Sequence, residues 1–100
     1  GRPIVVATHL CFDAMTNRDA FVDALEDANV IMVLGGHYHK AKVTLYRGVN
    51  FVQLPSVNSA WPEVTAIRIT SDRLTAIPFD YSRNRWIDDP GKILDLKISR

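Results

Sequence analysis

Two short apolar runs in the first third of the chain predict buried parallel strands. The first, Ile4 to Thr8, is rich in β-branched residues and follows Pro3, and the second, Val30 to Leu34, is apolar throughout. Neither run alternates with polar residues, which is typical of strands that are covered on both faces. We therefore predict that each of these strands is buried within a sheet.

The segment between the two runs predicts an amphipathic helix from about Asn17 to Ala28. Apolar residues recur on one face at the 3.6-residue period, and three aspartates lie four residues apart on the other face. The apolar residues are Phe21, Val22, Leu25 and Ala28, and the aspartates are Asp19, Asp23 and Asp27. The aspartates could form a metal site, but like charges at this spacing repel each other mildly, which favours a solvated face.

A strand, a helix and a strand in this order form a βαβ unit with parallel strands. Both strands then end at the same edge of the sheet, where open α/β sheets bind ligands. His9 follows the first strand, and His37 and His39 follow the second, so all three histidines of the chain can reach one cluster. Because neutral imidazole is a common ligand of divalent metals, this arrangement predicts a metal site formed by His9, His37 and His39.

The second and third histidines stand in the stretch Gly35-Gly36-His37-Tyr38-His39-Lys40. The glycines allow a turn through positive φ and a close approach of the backbone to a ligand. A His-x-His pair also arises by chance, so the convergence with His9 is the observation that favours a metal.

The remainder of the chain predicts antiparallel hairpins. Alternating or apolar runs, separated by turn residues, extend from Lys42 to Tyr46, Phe51 to Leu54, Val64 to Thr70 and Arg73 to Phe79. The loop from Pro55 to Glu63, which contains Trp61, could help to wall a pocket. The segment from 80 to 100 is more polar at first, and we predict a C-terminal arm, or the start of a following segment, that packs Trp86 on the sheet.

Composition restricts the classes of function. The chain has 100 residues, 47% hydrophobic and 23% charged, as in a soluble domain, and its formal net charge of +1 gives no indication of nucleic-acid binding. No apolar run approaches the length of a membrane span. The single cysteine, Cys11, excludes an intrachain disulfide and fits a reducing compartment, which slightly favours a cytoplasmic location.

The motifs carry a resemblance to a known family. Ala7-Thr8-His9 after one strand and Val33-Leu34-Gly35-Gly36-His37-Tyr38-His39 after the next, followed by short strands through Leu54-Pro55-Ser56, resemble the C-terminal half of a calcineurin-like metallophosphoesterase. The resemblance covers residues 3 to 79, and we assign residues 1–79 to this part of the domain. It implies an α/β fold in which two sheets are sandwiched between helices, as a four-layer αββα arrangement.

The resemblance also implies a dinuclear centre of two divalent ions, Mn, Fe or Zn. His9 and His37 would bind one ion and His39 the other, and no catalytic residue beyond these ligands is identifiable in the chain. The earlier motifs of the family, D-x-H, G-D-x-x-D and G-N-H-[DE], are absent from these residues. We therefore expect the chain to be a fragment that needs the missing N-terminal part of its own domain.

The function implied is metal-dependent hydrolysis of phosphate mono- or diesters, as a phosphatase or phosphodiesterase, by the complete protein, with the isolated chain inactive. An alternative from another class is a non-catalytic scaffold of the same fold that serves protein–protein interaction.

Overall fold

The βαβ unit predicted for the first third of the chain is present in the computed structural model, which describes residues 2–56 and 62–98. Strand β1 (Ile4–Leu10) and strand β2 (Val30–Gly36) are parallel neighbours, and helix α1 (Arg18–Ala24) lies between them in the chain. A short 3-10 helix (Phe12–Ala14) precedes α1. Both strands run two residues further than the apolar runs, so β1 contains His9 and β2 contains both glycines.

Helix α1 is shorter than the periodicity predicts, and its first turn has no side-chain cap. Asp19, in this first turn, accepts a hydrogen bond from the Tyr46 hydroxyl at 2.6 Å and contacts Arg47. After Ala24 the chain continues in turns, with Leu25 N–H bonded to Val22 O in the tighter i to i+3 pattern. The predicted exposure of the acidic face is confirmed, because Asp19 and Asp23 are both exposed and pair with Arg47.

The first sheet has the strand order β1-β2-β4-β3. Strand β4 (Val49–Gln53) is parallel to β2, and strand β3 (Lys42–Tyr46) is antiparallel to β4. The hairpin between β3 and β4 turns on Arg47 and Gly48, which both have positive φ, at 49° and 79°. This two-residue turn is tighter than predicted, and β4 therefore begins at Val49.

The second sheet is built around strand β6 (Arg73–Asp80). Strand β5 (Glu63–Ile69) pairs with one side of β6, and strands β7 (Arg85–Trp86) and β8 (Leu94–Lys97) pair with it as well, all antiparallel. The predicted C-terminal arm thus adds two strands to this sheet, and the Trp86 ring packs against Phe79 at 4.9 Å between centroids. The division of the chain at residue 79 stays a prediction.

Two hydrophobic clusters hold the layers together. One lies between the sheets, and the other lies between the first sheet and α1. Their buried members are Met32, Val52, Leu74, Ala76, Leu94 and Ile98 for the first cluster and Cys11, Met15, Val22, Val33 and Phe51 for the second. The expected α/β class with two stacked sheets is therefore confirmed. Within the described ranges, no helix is long and apolar enough to cross a membrane.

Strand β1 corrects one prediction, because it is not covered on both faces. It forms an edge of the first sheet, and Ile4, Val5 and Leu10 are exposed by 42%, 38% and 40%. Strand β5 lies at an edge of the second sheet and also has uncovered apolar residues. Ile67 and Ile69 are exposed, although their partners in β6, Ala76 and Leu74, belong to the core. The sandwich therefore has open apolar surface on β1 and on β5.

Candidate metal centre

His9 and His37 meet at the carboxyl edge of the first sheet. His9 is the second-to-last residue of β1, where the pairing with β2 is irregular between Ala7 and Leu10, and His37 directly follows β2. His9 Nε2 lies 3.3 Å from His37 Nδ1, and the rings are edge to face with their centroids 5.3 Å apart. The parallel strands thus bring these two residues together at their ends, as predicted.

The spacing of the two nitrogens suits one metal ion. Zinc–imidazole bonds of about 2.0–2.1 Å at a tetrahedral angle place two ligand nitrogens roughly 3.3 Å apart. The observed 3.3 Å equally allows an N–H···N hydrogen bond between neutral rings. The distance between the two nitrogens is thus compatible both with this hydrogen bond and with a shared ion.

The positive φ angles of the loop after β2 lie at other residues than predicted. Neither Gly35 nor Gly36 has a positive φ, because β2 extends through both; His37 and His39 take the left-handed conformation instead, with φ of 79° and 63°. Gly35 serves close packing, since a β-carbon there would lie 2.8 Å from the Cys11 β-carbon. Histidine is among the non-glycine residues that are found in this conformation more often than most.

His39 occupies a different position from the other two histidines. It lines a pocket of about 140 Å³ beside Glu63 and Lys92, and its carbonyl accepts the Ser56 N–H at 3.2 Å. Across residues 2–56 and 62–98, no three His, Cys, Asp or Glu side chains form a group that could hold a metal. The structure thus pairs two of the predicted ligands, and binding of a metal by His9, His37 and His39 stays a prediction.

Asp13 is the acidic residue that follows β1 at this edge, and it is engaged by a lysine. Its Oδ2 accepts a hydrogen bond from Lys42 Nζ at 2.6 Å. Tyr38 is exposed and lies against the His37 ring at 5.1 Å between centroids. Trp61, which we considered for the pocket wall, lies outside the described residues.

Cys11 lies beside the site but does not take part in it. Its side chain is fully buried in the cluster under α1, and burial raises the pKa of the thiol above its ordinary value. A thiol that stays protonated is a poor nucleophile and a poor metal ligand. Cys11 acts as a small hydrophobic residue of this cluster.

Sequence reasoning missed Glu63. It lies at the start of β5, on the other sheet, and it is distant in sequence from all three histidines. Only the stacking of the two sheets brings it to the pocket that His39 lines. The nearest sequence signal was its place at the end of the loop from Pro55, which we expected near the pocket.

No protein-family model matches the sequence, and no curated protein matches it significantly. Among solved structures, the chain is similar to one described as a predicted phosphoesterase from Streptococcus pneumoniae, with a TM-score of 0.51 and 17% identity over 83% of this chain and 47% of that chain. Wild-type Vps29 from Entamoeba histolytica complexed with zinc gives a TM-score of 0.47 and 18% identity over 92% of this chain and 51% of that chain. A single mutant of that Vps29 gives a TM-score of 0.48 and 19% identity over 83% of this chain and 47% of that chain.

The similarity to the predicted phosphoesterase shows a shared fold only, because an identity of 17% is too low to infer a shared activity. The chain spans about half the length of the structures that it matches. The chain therefore has the fold of the calcineurin-like metallophosphoesterases, matched over about half the length of the predicted phosphoesterase.

Proposed function

We propose that this chain belongs to a metal-dependent hydrolase of phosphate mono- or diesters. The observation that carries the proposal is the approach of His9 Nε2 to His37 Nδ1, 3.3 Å apart at the carboxyl edge of two parallel strands. This edge is where open α/β sheets place their ligands. The phosphoesterase fold supports the same reading.

His9 and His37 would hold one divalent ion and His39 a second, the metals being Mn, Fe or Zn. Such ions, when bound, lower the pKa of water and stabilise charge on phosphoryl oxygens. Binding of one ion by this pair requires a particular tautomer of each ring. For His9 to offer Nε2, its proton must be on Nδ1, and for His37 to offer Nδ1, its proton must be on Nε2.

The complete protein must supply further ligands. Two ions at four to six ligands each need about eight to twelve ligand positions, some of them filled by water and substrate. Asp13 follows β1 at this edge, but it already pairs with Lys42. We propose that the bridging carboxylate and the remaining ligands come from segments of the D-x-H, G-D-x-x-D and G-N-H-[DE] type elsewhere in the whole protein.

A second candidate is a non-catalytic scaffold of the same fold. Two observations favour it: among the described residues no three-ligand metal group exists, and β1 and β5 have open apolar surface. A complete protein without the upstream carboxylates would fit this reading and would neither hold two ions nor turn over an ester.

The experiment that tests the proposal is a zinc titration of the chain, followed by the ring ¹⁵N signals of each histidine. We expect the His9 and His37 signals to shift together with one affinity. His9→Ala should abolish the shift of His37, whereas His39→Ala should leave the pair unchanged and so serves as the matched control. A His37 shift that survives His9→Ala would show that the pair does not share an ion.

In the complete protein, a chromogenic phosphate ester with added manganese provides the second measurement. Turnover that is lost on His37→Ala supports the hydrolase. Absence of both turnover and metal from the complete wild-type protein supports the scaffold.

A further inference from the structure

The outer face of the second sheet, which is turned away from the first sheet, has exposed apolar side chains. Successive residues of β6 point to opposite faces, and Leu74 and Ala76 belong to the core between the sheets. The odd-numbered residues of β6, and the residues opposite them in β5 and β7, therefore point outward. The apolar members of this outer face are Val64, Ala66, Ile77, Phe79 and Trp86.

This apolar surface is open to solvent. Val64 is exposed by 46% and Trp86 by 56%, and Phe79 is half-buried, with its ring 4.9 Å from that of Trp86 between centroids. The first sheet has α1 packed on its outer face, whereas the described ranges contain no second α-helix that could cover this one. Because an apolar sheet face ordinarily packs against another layer, the outer face is a candidate docking surface.

A basic end, formed by Arg68, Arg73 and Lys97, adjoins the apolar surface on the same face. Arg73 is directly opposite Lys97 of β8, and Arg68 of β5 is a diagonal neighbour of Arg73, about 7–8 Å away. Like charges directly opposite each other destabilise a sheet. Asp95 offsets this in part by pairing with Arg73 at 2.7 Å, while Arg68 has no ion pair within the described ranges. The basic end therefore has an excess of positive charge.

A pocket of about 260 Å³ lies at the basic end. Its lining residues are Arg68, Thr70, Asp72, Arg73 and Thr75. Asp72, the acidic residue of this lining, accepts a hydrogen bond from the Thr70 hydroxyl at 3.0 Å. The Arg68 guanidinium can therefore bind a further carboxylate here, since arginine binds carboxylates through paired N–H groups. The pocket thus favours an acidic ligand.

We propose that the outer face of the second sheet binds an acidic amphipathic helix of a partner protein. The apolar stripe of this helix covers Phe79 and Trp86, and its carboxylates bind Arg68 and Lys97. From Phe79 to Arg73, β6 advances six residues of about 3.4 Å, roughly 20 Å, which a helix spans in about four turns of 5.4 Å. The metal centre, at the carboxyl edge of the first sheet, takes no part in this contact.

The composition of the outer face favours a separate protein over a permanent inner layer. Under α1, the contact between helix and sheet is apolar, and Val22, Val33 and Phe51 are among its buried residues. The outer face instead combines an exposed tryptophan with arginines. Both residue types are enriched where separate proteins meet, and the interfaces of permanent complexes are more hydrophobic. The charge favours an acidic partner over a second copy of this chain, because a symmetric contact would bring the same basic residues together.

Two synthetic helical peptides of about 18 residues, roughly five turns, provide the test. Both have leucines along one face, and they differ in the last turns, where one peptide has glutamates and the other lysines. Titration of the glutamate peptide into the ¹⁵N-labelled chain should shift the Trp86 indole signal and the amide signals of β5 and β6. The lysine peptide should bind at least about tenfold more weakly, because it brings like charges to Arg68 and Lys97.

Arg68→Glu reverses one charge of the basic end. It should bind the glutamate peptide about fivefold more weakly than the wild type and the lysine peptide about fivefold more tightly. Arg2→Glu is the matched control, because it makes the same change at an exposed arginine outside the second sheet. Trp86→Ala should weaken both peptides by about tenfold, as expected for a tryptophan at the centre of an interface. Leu45→Ala, at an exposed apolar residue of the first sheet, should weaken neither.

Equal affinity for the two peptides, or an equal effect of Arg2→Glu and Arg68→Glu, would overturn the role of charge. The inference also fails if neither peptide shifts the signals of the outer face, or if vesicles of anionic lipid shift them and the glutamate peptide does not. Loss of self-association in Trp86→Ala, measured by sedimentation velocity, would assign the face to a second copy instead. A glutamate peptide that binds this chain but not the complete protein would show that the face is an inner contact of that protein.

Discussion

Gly35 packs against Cys11 so closely that a β-carbon at position 35 would lie 2.8 Å from the Cys11 β-carbon and 3.0 Å from its α-carbon. Gly35 lies in β2, two residues before His37, and Cys11 directly follows β1, two residues after His9. The contact therefore sets the separation of the two strand ends. The distance between the His9 and His37 rings depends on a residue that has no side chain.

Gly35→Ala should destabilise the fold and weaken zinc binding together. The new methyl group would meet the backbone and β-carbon of Cys11, which cannot move without shifting β1, and overpacking of this kind costs about 1–3 kcal/mol. Urea unfolding measures the first effect and zinc titration the second. Gly36→Ala is the control: its β-carbon would have the His9 carbonyl oxygen at 3.9 Å as its nearest neighbour, an ordinary contact. Equal losses in the two variants would contradict the argument.

Asp80→Asn should lower stability at neutral pH and reduce the sensitivity of the fold to acid. Asp80 Oδ1 accepts the Ser82 hydroxyl at 2.7 Å and the backbone N–H groups of Ser82 and Arg83 at 3.0 and 3.1 Å. These bonds, the Ser82 hydroxyl foremost, hold the pKa of Asp80 below its ordinary 3.8. A carboxylate with a lowered pKa in the fold stabilises it above the unfolded pKa, and this stabilisation is lost as pH falls through the folded pKa.

Urea unfolding of wild type and Asp80→Asn at pH 7 and pH 3 measures this difference. The wild type should lose more free energy of unfolding between the two values than the variant does. Asp95→Asn is the comparison, because Asp95 forms an exposed ion pair with Arg73 at 2.7 Å and such pairs contribute little. An Asp80 variant with the wild-type pH dependence would rule out the role of this carboxylate.

Val5→Lys should reduce self-association of the chain. Exposed apolar edge strands pair readily with other chains, and a charge on the edge suppresses this. Sedimentation velocity over a range of concentrations measures the effect. Leu45→Lys is the control, since Leu45 is also exposed and on an edge strand but alternates with less exposed neighbours in β3. Similar behaviour of both variants would show that β1 is not the surface that associates.

The isolated chain should not hydrolyse phosphate esters, even with manganese added. Three neutral histidines cannot offset the repulsion of two dications about 3.5–4 Å apart, which needs a carboxylate between them. A chromogenic monoester and diester serve as substrates. Metal-dependent turnover that disappears on His9→Ala would mean that the chain, or two copies of it, forms a complete site.

The sequence predicted the features that depend on the local residue pattern and on the direction of the strands. The alternation and the turn residues gave the bounds of β3, Lys42–Tyr46, and the βαβ order brought His9 and His37 together. It could not predict that β1 is uncovered, because an apolar run reports what a strand can bury and not whether a neighbouring layer is present. It also could not place Glu63 beside His39, since that proximity comes from the stacking of two sheets.

His37 has the same φ as Gly48, 79°, although the two residues differ in their freedom to adopt it. For a side-chain-bearing residue the left-handed region costs roughly 1–2 kcal/mol relative to the right-handed one, and at Gly48 that cost is absent. His37→Gly should therefore make the chain more resistant to heat while it removes a proposed ligand. A screen of variants ranked by melting temperature alone would select against the loop that carries the chemistry, so stability and ligand binding oppose each other at this position.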